Sequence, residues 1–108
     1  MDYQFTCDPA KNKRNIKERG IDLLKAGEIL YEPHLDTEDD REDYGEERNI
    51  AKGYLNGIPL VVVYTIRGID HRHIISARKL QKHEEAEMVQ ELNLEAKQQN
   101  QKKTRWKK

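Results

Sequence analysis

The segment HRHIISARK, residues 71–79, sets cations and imidazoles into an apolar run. Ile74, Ile75 and Ala77 are what a buried strand requires, yet His71, Arg72, His73, Arg78 and Lys79 surround them. An arginine is costly inside a core unless it is paired. These side chains therefore either reach water at the rims of a sheet or hold something anionic. A guanidinium suits phosphate, because its planar fork donates two parallel hydrogen bonds and keeps its charge at any working pH. The alternative is that Arg72 and Arg78 pair with carboxylates of the acidic stretch 36–47. His71 and His73, two apart, share a face of a strand, but no third ligand stands at a metal-binding spacing, so no metal is assigned. No cofactor motif is read either. Ser76 lacks the setting of an activated nucleophile.

The elements that must position these residues follow from punctuation and periodicity. YQFT could form a short opening strand. Asp8 suits a helix N-cap, Pro9 the first helical position and Gly20 the residue past the end, which predicts a helix between them. Its only large apolar residue is Ile16, so one face should be wet. A second helix is expected from Asp22 to about Tyr31, with Leu23, Leu24, Ala26 and Leu30 as its stripe and Pro33 as its stop. HLDTEDDREDYGEER reads as an acidic loop with room for a short strand at its start. Asn56-Gly57 between two apolar runs signals a hairpin, and Gly68-Ile69-Asp70 turns the chain into HRHIISARK. The result is a three-stranded antiparallel meander.

Strict alternation along the last strand places Arg72, Ile74, Ser76 and Arg78 on one side, with His71, His73, Ile75, Ala77 and Lys79 on the other. From Leu80 the pattern becomes helical. The expected class is α+β: two N-terminal helices on a small antiparallel sheet, followed by a C-terminal helix. Residues 1–96 read as one domain and 97–108 as a basic, disordered tail.

The 108 residues carry 20 basic and 20 acidic side chains, so net charge alone says nothing of partners. The charges lie in blocks, however. Residues 11–19 hold five basic residues against one acid, residues 36–47 eight acids against Arg41, and the last twelve residues six basic side chains and no acid. Such blocks suit contact with a polyanion or with an oppositely charged partner, or form solvated surface. Trp106 within the basic tail could stack on single-stranded nucleic acid. A lone Cys7 excludes an intrachain disulfide. No signal peptide is read at the N-terminus and LVVVY is too short to span a bilayer, so a cytoplasmic location away from membranes is expected.

The order of motifs carries a resemblance. F-x-x-D-P-A-K-x-x-x-N from Phe5 to Asn15, the helix-closing Gly20, DYGEER from Asp43 to Arg48, NGIPLVVVYTIRG and HIISARK together resemble the BrnT family of toxins from bacterial type II toxin–antitoxin pairs. The resemblance covers about residues 5 to 84. It implies a RelE-like fold with a positively charged surface that cleaves RNA. It also implies a small DNA-binding partner (a BrnA-like ribbon-helix-helix antitoxin), contact with operator DNA through that antitoxin, and a homodimer within the complex. Two departures stand out: Cys7 where the family usually has Trp, and Glu18-Arg19-Gly20 where it usually has Lys-His-Gly. Arg19 can bind phosphate but cannot serve as a base, since it keeps its proton.

Under this resemblance RNA cleavage would need no metal, because the 2′-hydroxyl can attack the adjacent phosphate. Arg67 and Arg78, at the ends of neighbouring strands, are the leading phosphate clamps, with Lys11 and Arg48 next. Arg14, Arg19, Arg72 and Lys79 are further phosphate contacts. His71, His73 and Glu47 are the candidates for proton transfer. The competing readings are an inactive relative kept as an antitoxin- or RNA-binding module, and a basic RNA-binding protein acting through residues 97–108.

Overall fold

A computed structural model describes residues 2–41, 43 and 45–106, with side chains described as far as residue 94. The chain runs β1 (Gln4–Cys7), α1 (Pro9–Arg19), α2 (Leu23–Ala26), a 3₁₀ segment (Gly27–Tyr31), β2 (His34–Glu38), β3 (Asn49–Leu55), β4 (Ile58–Ile66), β5 (His71–Lys79) and α3 (Lys82–Trp106). The strands form one sheet in the order β1-β5-β4-β3-β2. The meander β3-β4-β5 is present, but the sheet has five strands rather than three and an extra. It is mixed, because β1 runs parallel to β5. In this it departs from the RelE-like arrangement of two helices on a small antiparallel sheet expected above.

The punctuation of α1 is as the sequence predicts. The Asp8 carboxylate accepts from the backbone N–H of Ala10 at 2.9 Å, and Gly20 closes the helix at φ +71°. The side of α1 turned inward is polar. Asn12 accepts from the N–H of Leu23 and donates to Asp22, and Asn15 donates to the Ile21 carbonyl. The expected second helix is α-helical only over Leu23–Ala26 and tightens to 3₁₀ from Gly27. There a Cβ would lie 2.8 Å from the Phe5 ring, so the chain draws close to β1 only because Gly27 has no side chain. At the β3–β4 hairpin Asn56 and Gly57 both take positive φ, +51° and +80°, the geometry of a type I′ turn.

One face of the sheet packs Leu60, Val62, Tyr64, Ile74 and Ala77 against Leu23, Ala26, Ile29 and Leu30. On the other face α3 seats Met88 on Val61 and Leu80, with Leu35, Ile50, Tyr54 and Leu92 around them. Part of the acidic stretch is therefore an edge strand, β2, paired with β3 along its length. Its charged residues suit an exposed edge. Among the described residues no helix is long and apolar enough to cross a membrane.

Residues 97–106, expected to be disordered, continue α3. No Gly or Pro interrupts the run, so nothing in it ends a helix. Lys107 and Lys108 lie outside the described residues, as do the side chains of Lys97, Lys102, Lys103, Arg105 and Trp106.

A register shift in β5 decides which residues share a face. Val63 lies opposite Ser76 while Tyr64 lies opposite Ile74, so Ile75 is an extra residue in a β-bulge. The bulge overturns strict alternation. His71 and His73 share their face with Ser76 and Arg78, whereas Arg72, Ala77 and Lys79 share with Ile74 the face packed by α2.

Met88 is 1% exposed and anchors α3 to the sheet. Met88→Ala is expected to destabilise the fold by about 2–4 kcal/mol through the cavity it leaves. Urea unfolding of the two proteins measures this, and a loss under about 1 kcal/mol would mean that α3 is held by other contacts.

Candidate functional site

The face bearing α3 is only partly covered. Beyond the helix, β5 presents His71, His73, Ser76 and Arg78, flanked by Val63 and Thr65 of β4 and Lys52 of β3. These side chains form two groups, one at each end of β5.

The first is a cleft of about 350 Å³ lined by Arg19, Arg41, Lys52, Ser76, Arg78 and Glu84 over a floor of Ile50, Val61 and Val63. Arg19 reaches it because β1 is short. β1 pairs with β5 only as far as Ile74, which leaves the Ala77 carbonyl on an open edge. There it accepts from the Arg19 guanidinium at 3.1 Å, and Asn15 accepts from the same nitrogen at 3.3 Å. Arg78 donates both terminal nitrogens to the Glu84 carboxylate at 2.9 Å each. Glu84 stands in the first turn of α3 and also accepts from the Gln81 N–H at 2.8 Å. The Arg78 hydrogen bonds, helped by the one from Gln81, lower its pKa to about 2. Arg41 makes a two-pronged contact with the buried Asp39 at 2.7 and 2.9 Å. Four cations and one carboxylate thus line the cleft together with Ser76.

The second group lies at the start of β5. The Thr6 hydroxyl of β1 is 2.7 Å from His71 Nε2 and 2.8 Å from His73 Nδ1. Arg67, just past β4, pairs with Glu46 at 3.8 Å. Burial lowers the His73 pKa, and the positive charge of Arg67 lowers it further. Glu46 acts in the opposite sense, and His71 adds to the lowering. His73 is therefore neutral near pH 7. Thr65 between the groups donates to the Glu47 carbonyl at 2.7 Å. His73 and Arg78 lie opposite Thr65 and Val61, four residues apart on β4, about 13 Å at the usual rise of a strand and too far to act on one phosphodiester together.

Several predicted site residues stand elsewhere. Arg72 lies on the face packed by α2, 4.7 Å above the Tyr3 ring, and donates to the carbonyls of Gly68, Ile69 and His71. That network ties the β4–β5 turn to the core and leaves it away from the cleft. Lys79 also faces that side, lining a separate cavity with Lys25, Leu55 and Leu60. Lys11 and Arg14 are exposed on α1, outside the lining of the cationic cleft. Arg48 is half-buried before β3, where its carbonyl accepts from the Asp39 N–H. The side chain of Glu47 is exposed. Among the described residues Arg72 and Arg78 do not pair with the acidic stretch 36–47. Arg78 takes Glu84, and from the acidic stretch Asp39 takes Arg41 and Glu46 takes Arg67.

Sequence reasoning missed Lys52, Thr6 and Glu84. Lys52 could have been found as the lone cation inside the IAKGY strand, but Thr6 and Glu84 depend on pairings across the fold. Among the described residues no three His, Cys, Asp or Glu side chains gather as a metal site.

The family model described as "Ribonuclease toxin, BrnT, of type II toxin-antitoxin system" matches residues 7–84. Among solved structures, the crystal structure of the Brucella abortus ribonuclease toxin BrnT superposes with a TM-score of 0.61 and 21% identity, covering 74% of this chain and 99% of that one. No curated protein sequence matches the chain. With more than two thirds of its length matched by the family model, and the fold shared with that toxin, the chain belongs to the BrnT ribonuclease-toxin family of type II toxin–antitoxin systems.

Proposed function

We propose that the protein is an endoribonuclease that holds single-stranded RNA along the open face of β5 and cuts it with side chains alone. The observation that carries this reading is the bulge at Ile75, which brings His71 and His73 onto the same face as Ser76 and Arg78. In the proposed reaction the 2′-hydroxyl attacks the adjacent phosphorus. The P–O2′ bond forms as the P–O5′ bond breaks, leaving a 2′,3′-cyclic phosphate and a 5′-hydroxyl. One histidine of the pair takes the 2′ proton and the other supplies a proton to the departing 5′-oxygen. Arg67, whose field reaches His73, stabilises the charge that builds on the phosphate. Arg78, Lys52 and Arg19 hold the backbone farther along the strand. Arg19 supplies charge at the place where the family usually has histidine, so proton transfer falls to β5.

The finer parts of the family resemblance belong to this proposal. They are a BrnA-like ribbon-helix-helix antitoxin that neutralises the toxin, operator DNA bound through that antitoxin, a homodimer within the complex, RelE-like kinship and action in the cytoplasm. A second reading, a scaffold that binds without cutting, has one observation in its favour. The Arg78 fork is already filled by Glu84, so RNA phosphate must displace a carboxylate.

Induction of the chain alone in a bacterial host, following growth and total RNA, tests the proposal. Arrest with loss of RNA is expected. Normal growth with soluble, folded protein would sink the ribonuclease reading in favour of the binding one. Arg78→Ala is expected to weaken binding of a single-stranded oligoribonucleotide by the purified protein on the order of tenfold, as for loss of one charge-assisted contact to phosphate, with the cleavage rate at saturating RNA nearly unchanged. The fold should survive, since a solvent-screened surface pair such as Arg78–Glu84 adds little to stability. Glu84→Gln, which weakens the competitor for the Arg78 fork, should tighten RNA binding in a fluorescence-anisotropy titration; unchanged affinity would show that Arg78 does not meet RNA. Protonating His73 removes its base function, and its folded pKa is lowered. The cleavage rate should therefore hold as pH falls past the ordinary histidine value of about 6.5 and be lost only below it. A rate already halved at or above that pH would assign the base to another group.

A further inference from the structure

Thr6 holds its hydroxyl within hydrogen-bond distance of both histidines of the site. It stands on β1 opposite His73, with Phe5 and Cys7 turned to the core on either side, so the parallel pairing of β1 with β5 aims its hydroxyl at the open face. The hydroxyl has one proton to give and two lone pairs to accept with. Its two neighbours are His71 Nε2 and His73 Nδ1, at 2.7 and 2.8 Å. If the Thr6 proton goes to His73, then His71 must donate its Nε2–H to Thr6, and the reverse holds if it goes to His71. With both rings neutral, the nitrogens left over, His71 Nδ1 and His73 Nε2, are then always one N–H and one lone pair.

We propose that Thr6 couples His71 and His73 into a single neutral proton relay, so that one ring is always poised as acid when the other is poised as base. This rests on the ribonuclease reading above and assigns a positioning residue to it. The lone-pair nitrogen of one ring takes the 2′-hydroxyl proton. That ring passes its inner N–H to Thr6, the Thr6 proton crosses to the other ring, and that ring's outer N–H passes to the 5′-oxygen. One proton enters and one leaves, and the trio ends neutral in the mirror arrangement. The surroundings favour a neutral His73. Arg67 from the end of β4 and burial oppose a charge on His73, while Glu46 from the β2–β3 connection and Asp8 at the head of α1 only partly offset them.

The test uses the full chain and two substitutions. Thr6→Val keeps a β-branched side chain of the same shape in the strand but removes the hydroxyl; Thr6→Ser restores it. Two readouts are taken: the pH profile of cleavage of a single-stranded oligoribonucleotide, and long-range ¹H–¹⁵N correlations of the imidazole nitrogens, which report tautomers without RNA. The expected result is a rate loss on the order of 10–100-fold for Thr6→Val, part of the 10²–10⁴-fold worth of positioned acid–base groups, with recovery in Thr6→Ser. The complementary nitrogen shifts of His71 and His73 should appear in the wild type and Thr6→Ser and vanish in Thr6→Val. A folded Thr6→Val that cleaves at the wild-type rate overturns the relay and leaves the ribonuclease reading standing. Slow cleavage by both variants with unchanged imidazole shifts also overturns it, making Thr6 a packing residue. Wild-type protein that does not cut RNA brings down the ribonuclease reading, and the relay with it.

Discussion

The surface chemistry of this protein depends on one extra residue in a strand. A strand alternates its side chains between two faces, and a shift of one residue exchanges them. The Ile75 bulge makes that exchange in the middle of β5. On its N-terminal side Ile74 is directed to the core, and on its C-terminal side Ala77 is, each 1% exposed. The residues between and beyond are thereby sorted. His73, Ser76 and Arg78 are sent to the open face, while Arg72 and Lys79 are sent to the other. Without the bulge the core requirement could not be met at both ends of β5 while keeping the histidines and Arg78 together. The packing of Ile74 and Ala77 is thus the physical cause of the site's layout.

The electrostatics follow from that layout and not from net charge, which is zero. Basic side chains from α1, β3 and β5 converge on the cleft, while carboxylates are placed as local partners: Asp39 for Arg41, Glu84 for Arg78, Glu46 for Arg67. Pairing at partly exposed positions costs little and keeps cations oriented until a stronger anion competes. The Glu84 contact has a further consequence. Because it also caps the start of α3, the helix that covers one end of the sheet is tied by a single carboxylate to the cation at the mouth of the cleft.

How much of this is legible in the sequence varies with the range of the contacts involved. Asp8, Pro9 and Gly20 delimit α1 because caps act within a turn of the helix they close, and Asn56-Gly57 delimits the hairpin for the same reason. The membership of the sheet is less legible. β1 is four residues long and pairs with a strand more than sixty residues away, and β2 hides in an acidic run because one edge of it meets water. The bulge is invisible. HRHIISARK contains no glycine or other marker of an irregular register, and only the competition of Ile74 and Ala77 for the core reveals it. Hence the cations Arg72 and Lys79, which look equivalent to Arg78 along the chain, stand on the other side of the sheet.

The departures from the family pattern can be weighed in the same terms. A histidine at the end of α1 would sit where Arg19 lines the cationic cleft, beside Ser76 and Arg78 and away from the histidine pair. Replacing a titratable ring there with a permanent cation removes an acid–base group and adds a charge of the kind that suits phosphate. The pair on β5 is held by a strand that is hydrogen-bonded on both sides, by β1 and β4, over its first residues. Rigid backbone on both sides is what precise placement of proton donors and acceptors needs, more than a helix terminus provides. Cys7, at the usual Trp position, lies at the end of β1 and packs only partly against the core. A smaller side chain there leaves the β1–β5 pairing in place, because the strand is fixed by its backbone register and by Phe5 against Gly27. Neither substitution therefore disturbs the scaffold that aligns Thr6 with His71 and His73, and the chemistry of this chain is to be sought on that strand pair.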